Sequence, residues 1–138
     1  MTRFAVVLAV LVLAGSVQAD TNVTVGKMTV DGQEVRDLKC SLKKGGFFAV
    51  AQVVGALSKQ KKALDACAPG GAAFLAEWKW DGSGKATDVA VTKSSAKGKN
   101  KCVVAALGKT KATTEGSCSA IILVGKSEAA GKAADELK

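Results

Sequence analysis

The sequence contains no histidine, so the commonest general base of enzymes and a frequent metal ligand are both missing. A serine or cysteine nucleophile would have no imidazole partner, and zinc would lose one of its two usual ligand types. The carboxylates offer no replacement, because Asp31 and Asp81 lie in predicted turns and Glu77 on the exposed face of a predicted strand. Lys93-Ser94-Ser95 is better explained as part of a solvated loop than as a serine–lysine dyad. We therefore expect no enzymatic activity, no catalytic residue, no cofactor and no metal site.

Arginine and aromatic residues are scarce, although the chain is strongly basic. Its 20 basic residues outnumber 12 acidic residues, which gives a net charge of +8, and Arg3 and Arg36 are the two arginines. Specific nucleic-acid recognition normally uses arginine or aromatic stacking, so we do not expect it. A lysine surface instead predicts attraction to an anionic glycan or lipid, and a solvated face that keeps the protein soluble is the simpler alternative. The surface comprises Lys93, Lys97, Lys99, Lys101, Lys109 and Lys111.

A continuous apolar run occurs at the N-terminus, where residues 4–14 follow Arg3. The run is shorter than the roughly 20 residues that span a bilayer, and small residues end at Ala19, as a signal peptidase requires. Ser16 stands where a lipoprotein would carry its cysteine, and the first cysteine is Cys40. We expect a cleavable signal peptide over residues 1–19, no lipid anchor, no transmembrane segment after cleavage, and a periplasmic or secreted protein.

The four cysteines are Cys40, Cys67, Cys102 and Cys118, and no two of them form a C-x-x-C pair. An even number of widely spaced cysteines in a small exported chain predicts two structural disulfides rather than a redox-active pair or a metal site. Four cysteines permit three pairings, and their spacing does not choose among them.

Hydrophobic periodicity predicts one domain over residues 20–138 with the element order ββα, then ββαβ, and an optional short terminal helix that starts at Ser127. Apolar residues that recur every three or four positions from Phe47 predict a helix ending near Ala66, before Pro69. Residues 126–138 contain Leu137 as their one large apolar side chain and are expected to form a loosely ordered tail. The predicted fold class is α+β: a small, mainly antiparallel sheet with two helices packed on one face, stapled by disulfides. The other predicted elements are strands over residues 23–30, 38–42, 74–80, 87–92 and 117–124, and a helix over residues 100–109.

A resemblance to a known family covers residues from about 67 to 125. It rests on Cys67, Gly71, the strand Phe74-Leu-Ala-Glu-Trp-Lys-Trp80, Asp81-Gly82, Val89-Ala-Val91, Ser94-Ser95, Cys102-Val103, Ala106-Leu107 and the strand after Gly116. This pattern resembles the TonB C-terminal domain superfamily, in the envelope branch named after the AgmX/PglI C-terminal region. The resemblance implies three antiparallel strands with two helices on one face. It also implies that the last strand, residues 117–124, is an edge able to receive a peptide by strand addition.

The resemblance also bears on the disulfides. If Cys67 and Cys102 lie on two helices packed side by side, they are plausible partners, and Cys40 and Cys118 on extended segments then pair. A bond between Cys40 and Cys67 is disfavoured, because the intervening helix of about 20 residues would hold them about 30 Å apart.

Two functional hypotheses follow. The first is a non-catalytic module that binds an envelope protein or peptide at the exposed sheet edge, through outward positions Ser119, Ile121 and Leu123. The second is a lysine-rich structural or accessory protein that binds anionic envelope glycan or lipid. Salt separates them, because screening weakens contacts between exposed charges and leaves backbone pairing intact.

Overall fold

A computed structural model describes residues 21–43 and 47–138. The predicted signal peptide lies outside the described residues. The predicted α+β class is confirmed: within these ranges a five-stranded antiparallel sheet in the order β1-β2-β5-β3-β4 carries four α-helices. The strands are β1 (Thr21–Val30), β2 (Gln33–Leu42), β3 (Ala72–Trp80), β4 (Ala86–Ser94) and β5 (Gly116–Val124), and the helices are α1 (Phe47–Ser58), α2 (Lys61–Cys67), α3 (Asn100–Leu107) and α4 (Ser127–Glu136).

Two hairpins supply four of the strands. Asp31 and Gly32 join β1 to β2 with φ values of 49° and 81°, the left-handed pair that a tight two-residue hairpin requires. In the second hairpin Asp81 Oδ1 accepts hydrogen bonds from the backbone N–H groups of Ser83 and Lys85. Each Asp-Gly turn signal in the sequence therefore marks a real hairpin.

The main core lies between one face of the sheet, here called the inner face, and helices α1 to α3. Trp78 and Trp80 of β3 are fully buried there and contact each other edge to face, with ring centroids 5.9 Å apart. The Trp80 indole N–H donates to Thr110 Oγ1 at 3.1 Å, so its polar atom is satisfied inside the core.

The predicted helix from Phe47 is two helices in the structure. After Ser58 the chain turns: Gln60 N–H bonds to the carbonyl of Leu57, three residues back, and α2 begins at Lys61. The break keeps Leu57 and Leu64 fully buried on the same side. The three- and four-residue spacing of the apolar residues continues across the turn, so this spacing could not reveal the break between the two helices.

Both disulfides predicted above are present. Cys40 on β2 bonds to Cys118 on β5, and Cys67 at the end of α2 bonds to Cys102 in α3. The first ties together the sheet, and the second ties together two helices of the inner layer. Two structural disulfides fit a protein that matures in an oxidising compartment.

The expectation of a loosely ordered tail was wrong. Residues Ser127–Glu136 form α4, which packs on the outer face of the sheet, opposite the other three helices. The contact uses Ala130 and Ala134, both fully buried against Ile121 and Leu123 of β5. Small side chains let the helix approach the sheet closely, but they leave no large apolar stripe in the sequence. Within the described ranges, no helix is long and apolar enough to cross a membrane.

Candidate functional site

The outer face of the sheet is divided into a covered half and an open half. On β5 the outward positions are Ser117 and Ser119 at one end and Ile121 and Leu123 at the other. Helix α4 covers the apolar end, where Ile121 and Leu123 are almost completely buried. The serine end is uncovered, so the change from serine to isoleucine along one strand marks the boundary between the two halves.

The open half consists of two rows of side chains that cross all five strands in register. The first row is Thr24, Lys39, Ser119, Glu77 and Ala90, and the second is Asn22, Ser41, Ser117, Lys79 and Thr87. Nine of these ten side chains are polar. Because antiparallel strands lie about 4.8 Å apart, the rows span about 19 Å.

These rows form the floor of an open groove with a volume of about 640 Å³. We call it the polar groove. Its lining residues are Asn22, Val23, Thr24, Lys39, Cys40, Ser41, Glu77, Trp78, Lys79, Asp88, Ser117, Cys118 and Ser119. The Cys40–Cys118 disulfide joins the two strands beneath its centre, so the floor is covalently fixed.

The polar groups of the groove include several that no other side chain satisfies. The hydroxyls of Ser117 and Ser119 have no hydrogen-bond partner among the described residues, and Lys39 has no carboxylate within ion-pair distance there. Lys79 is paired with Asp88 across an exposed 3.7 Å contact. The groove therefore offers hydroxyl groups, a free ammonium and carboxylates side by side.

The prediction that Ser119, Ile121 and Leu123 belong to an exposed edge strand was wrong. Strand β5 is the centre of the sheet, paired with β2 on one side and β3 on the other. The error arose because the family resemblance covered only residues from about 67 to 125, whereas the first hairpin lies outside that range and supplies β2, which pairs with this side of β5. No partner strand can pair there.

The true edges of the sheet are β1 and β4. Strand β4 is interrupted at Asp88, which has a φ of 50°, and a short backbone bridge between Lys85 and Lys111 closes its start. A bulge and charged residues both discourage edge-to-edge pairing. Strand β1 runs for 10 residues with Lys27 as its one charged side chain. It is the less protected edge.

The six predicted surface lysines are all exposed and divide into two groups at the two ends of α3. Lys93 lies near the end of β4, opposite Leu75, and Lys97, Lys99 and Lys101 lie at the start of α3; we call these four the lysine cluster. Lys109 and Lys111 follow the helix and are joined by Lys85 through the Lys85–Lys111 bridge. An α-helix of eight residues is about 12 Å long, so the groups are separate patches.

The lysine cluster has no opposing charge nearby in the sequence. Residues 89–114 contain no Asp or Glu, and none of the cluster lysines forms an ion pair among the residues that the structure describes. Helix α3 has no acidic residue in its first turn. The positive end of its dipole therefore adds to the lysine charges instead of being neutralised.

Of the residues considered for catalysis, Ser95 has a structural role. The Ser95 hydroxyl accepts a hydrogen bond from the backbone N–H of Ala73 at 3.0 Å, which ties the end of the hairpin to β3. Within residues 21–43 and 47–138, no group of three or more metal-binding side chains comes together.

Comparison with known proteins adds no relative: no family model, no curated protein and no solved structure matches the chain. The TonB C-terminal resemblance stays a prediction.

Sequence reasoning did not find the polar groove. Its residues come from all five strands, and their proximity depends on the order of the strands in the sheet. One signal was available: the outward positions change from apolar to polar along β3 and from polar to apolar along β5. Such a change in two strands indicates that the face is covered at one end only.

Proposed function

We propose that this protein is an exported, non-catalytic envelope protein that binds clustered anionic groups, on lipid headgroups or on an envelope glycan, through its lysine cluster. The predicted signal peptide and the two disulfides support export. The observation that carries the binding proposal is the run from residue 89 to residue 114, in which exposed lysines have no acidic neighbour in the sequence and no ion pair. Several surface lysines elsewhere, such as Lys27, Lys61 and Lys79, have a carboxylate partner, whereas Lys39 has none among the described residues.

The expected strength follows from the number of charges. A lysine near an anionic membrane surface contributes about 1 kcal/mol, so the four lysines of the cluster can support reversible binding at low ionic strength. Binding should weaken as salt screens the charges, over about 8 Å at physiological ionic strength.

The test is sedimentation of the oxidised protein with vesicles of phosphatidylglycerol and phosphatidylcholine, beside vesicles of phosphatidylcholine alone. Dextran sulfate, as a soluble anionic glycan, separates the two ligand sources. Replacing Lys93, Lys97, Lys99 and Lys101 by glutamine should lower binding to the anionic probe at least tenfold. The matched control replaces Lys59, Lys62, Lys126 and Lys138, four exposed lysines outside the cluster, with the same change in net charge. Equal losses in both variants would mean that total charge, and not the cluster, drives binding.

A second candidate function is capture of an extended peptide or partner strand at β1. The supporting observation is that, among the described residues, β1 pairs only with β2 and carries a single charge over its length. Backbone pairing at this edge would be insensitive to salt, in contrast to binding at the lysine cluster.

A further inference from the structure

We propose that the polar groove is a second binding site, distinct from the lysine cluster, and that its ligand is a polyhydroxylated glycan chain lying across the strands. The groove is separate from the cluster in position, because its residues lie on the open outer face whereas Lys97, Lys99 and Lys101 lie at the start of α3. It differs in charge as well: Lys39 and Lys79 are balanced by Glu77 and Asp88. A polyanion therefore gains little there.

The chemistry of the floor selects the class of ligand. Hydroxyl groups of Ser117 and Ser119 both donate and accept hydrogen bonds, the ammonium of Lys39 donates, and the carboxylate of Glu77 accepts. A sugar chain presents hydroxyls that also donate and accept along its whole length. An apolar helix or peptide side chain would find Ala90 as the one apolar side chain of the two rows, and burying it there would leave these polar groups without partners.

The geometry suits a chain rather than a single small molecule. The two rows extend across the whole sheet, for about 19 Å, and both ends of the groove are open at β1 and β4. A linear chain of a few sugar units can therefore enter and leave at the sides. The disulfide between Cys40 and Cys118 holds the central strands in register, so the floor does not need to be ordered when the ligand binds.

The test uses three tetrasaccharide probes with the oxidised protein: a neutral glucan, an N-acetylglucosamine tetramer and a tetragalacturonate. Amide chemical shifts are followed by NMR at about 0.5 M salt, where the lysine cluster is screened to a few ångströms. At least one probe should shift the resonances of Lys39, Lys79, Ser117 and Ser119. Failure of all three at millimolar concentration would overturn the proposal, and so would shifts confined to Lys97, Lys99 and Lys101.

Two variants make the test specific. Replacing Ser117 and Ser119 by valine removes both hydroxyls while favouring the strand, and should weaken binding about fivefold or more. The control, Thr29→Val, makes a similar change at an exposed position of β1 outside the groove. Lys39→Gln provides a second test that alters no buried group. Binding that survives both groove variants unchanged would contradict the site even if a probe binds elsewhere.

Discussion

Arg36 on β2 reaches across the outer face to Asp135 on α4, where its Nη1 donates to Oδ1 at 3.1 Å across 99 residues of sequence. The same guanidinium donates to Glu34 at 2.8 Å, and this hydrogen bond is the main reason that the pKa of Arg36 is raised above its ordinary value. Arg36 is therefore a permanent cation that links the first hairpin to the last helix.

Replacing Arg36 by alanine should destabilise the protein more than replacing Asp135. Arg36 is largely buried, and its loss removes the main partner of the half-buried Glu34 carboxylate, at a cost of about 1–2 kcal/mol. Asp135 is mostly exposed, so Asp135→Ala should cost about 0–1 kcal/mol. Urea unfolding measures both. Equal effects would mean that the Glu34 contact contributes nothing.

Glycine is required at position 71, where the chain passes beneath α4. Gly71 has a φ of 107°, and a Cβ there would lie 2.6 Å from the Ala129 side chain and 2.8 Å from the Lys126 carbonyl oxygen. Gly71→Ala should therefore destabilise the fold by about 2 kcal/mol or more and increase hydrogen exchange in α4. The control is Gly70→Ala, where a Cβ meets no atom within 4 Å. If both alanines cost the same, close packing of α4 is not the reason.

These interactions also show which parts of the fold the sequence could predict. Strands and hairpin turns follow from alternation and from Asp-Gly pairs, which are local signals. The order of the strands in the sheet depends on contacts between residues far apart in the sequence, and this order places β5 at the centre. The sequence did contain a clue, because Ile121 to Val124 are four consecutive large apolar residues, which is typical of a strand buried on both faces.

The optional terminal helix from Ser127 is present, but its firm packing on the sheet was missed for a different physical reason. Its buried positions are Ala130 and Ala134, whose small side chains contribute little to a hydrophobic pattern. The packing depends on a close approach to the sheet and on Arg36, a residue far away in the sequence. That such a helix packs firmly on the sheet cannot be inferred from its own residues, because alanines and one distant ion pair hold it there.

Removing either disulfide should destabilise the protein substantially. In the chain-entropy model, the loop of 78 residues closed by Cys40–Cys118 is worth about 4.5 kcal/mol, and the loop of 35 residues closed by Cys67–Cys102 about 3.8 kcal/mol. Paired substitutions by alanine, compared by denaturant unfolding, should give losses of about 2–5 kcal/mol. Thiol titration of the unreduced, denatured protein should detect no free cysteine; a signal of two thiols would contradict one of the bonds.

Asp81 should stabilise the second hairpin in a pH-dependent way. The pKa of its carboxyl is lowered, first by the hydrogen bond from the Ser83 hydroxyl and then by those from the Lys85 and Ser83 backbone N–H groups. Because the folded pKa is below the unfolded value of about 3.9, the contribution is present above that pH and is lost as pH falls through the folded pKa. NMR titration should place the pKa of Asp81 below the usual value, and Ser83→Ala should raise it towards that value. An unchanged pKa in the variant would contradict the assigned cause.

Strand addition at β1 can be tested by blocking outward backbone groups while leaving the β1–β2 pairing intact. The Cα atoms of Cys40 and Cys118 are 4.1 Å apart, the spacing of a non-hydrogen-bonded antiparallel pair, so the backbone of Cys40 points towards Val23 on β1. The N–H of Val23 then faces β2, and that of Thr24 faces the open edge.

Thr24→Pro should therefore preserve the fold and abolish capture of a partner strand, because proline removes an N–H that only a partner would use. Val23→Pro removes an N–H that pairs with β2 and should destabilise the hairpin by about 3 kcal/mol. The readout is retention of a partner protein from envelope extract on immobilised protein, washed at high salt, with thermal unfolding of each variant as the stability control. A partner that the Thr24 variant still retains would bind elsewhere. If the Thr24 variant loses a partner that the unmodified protein retains, and its thermal stability is unchanged, β1 is the receiving edge.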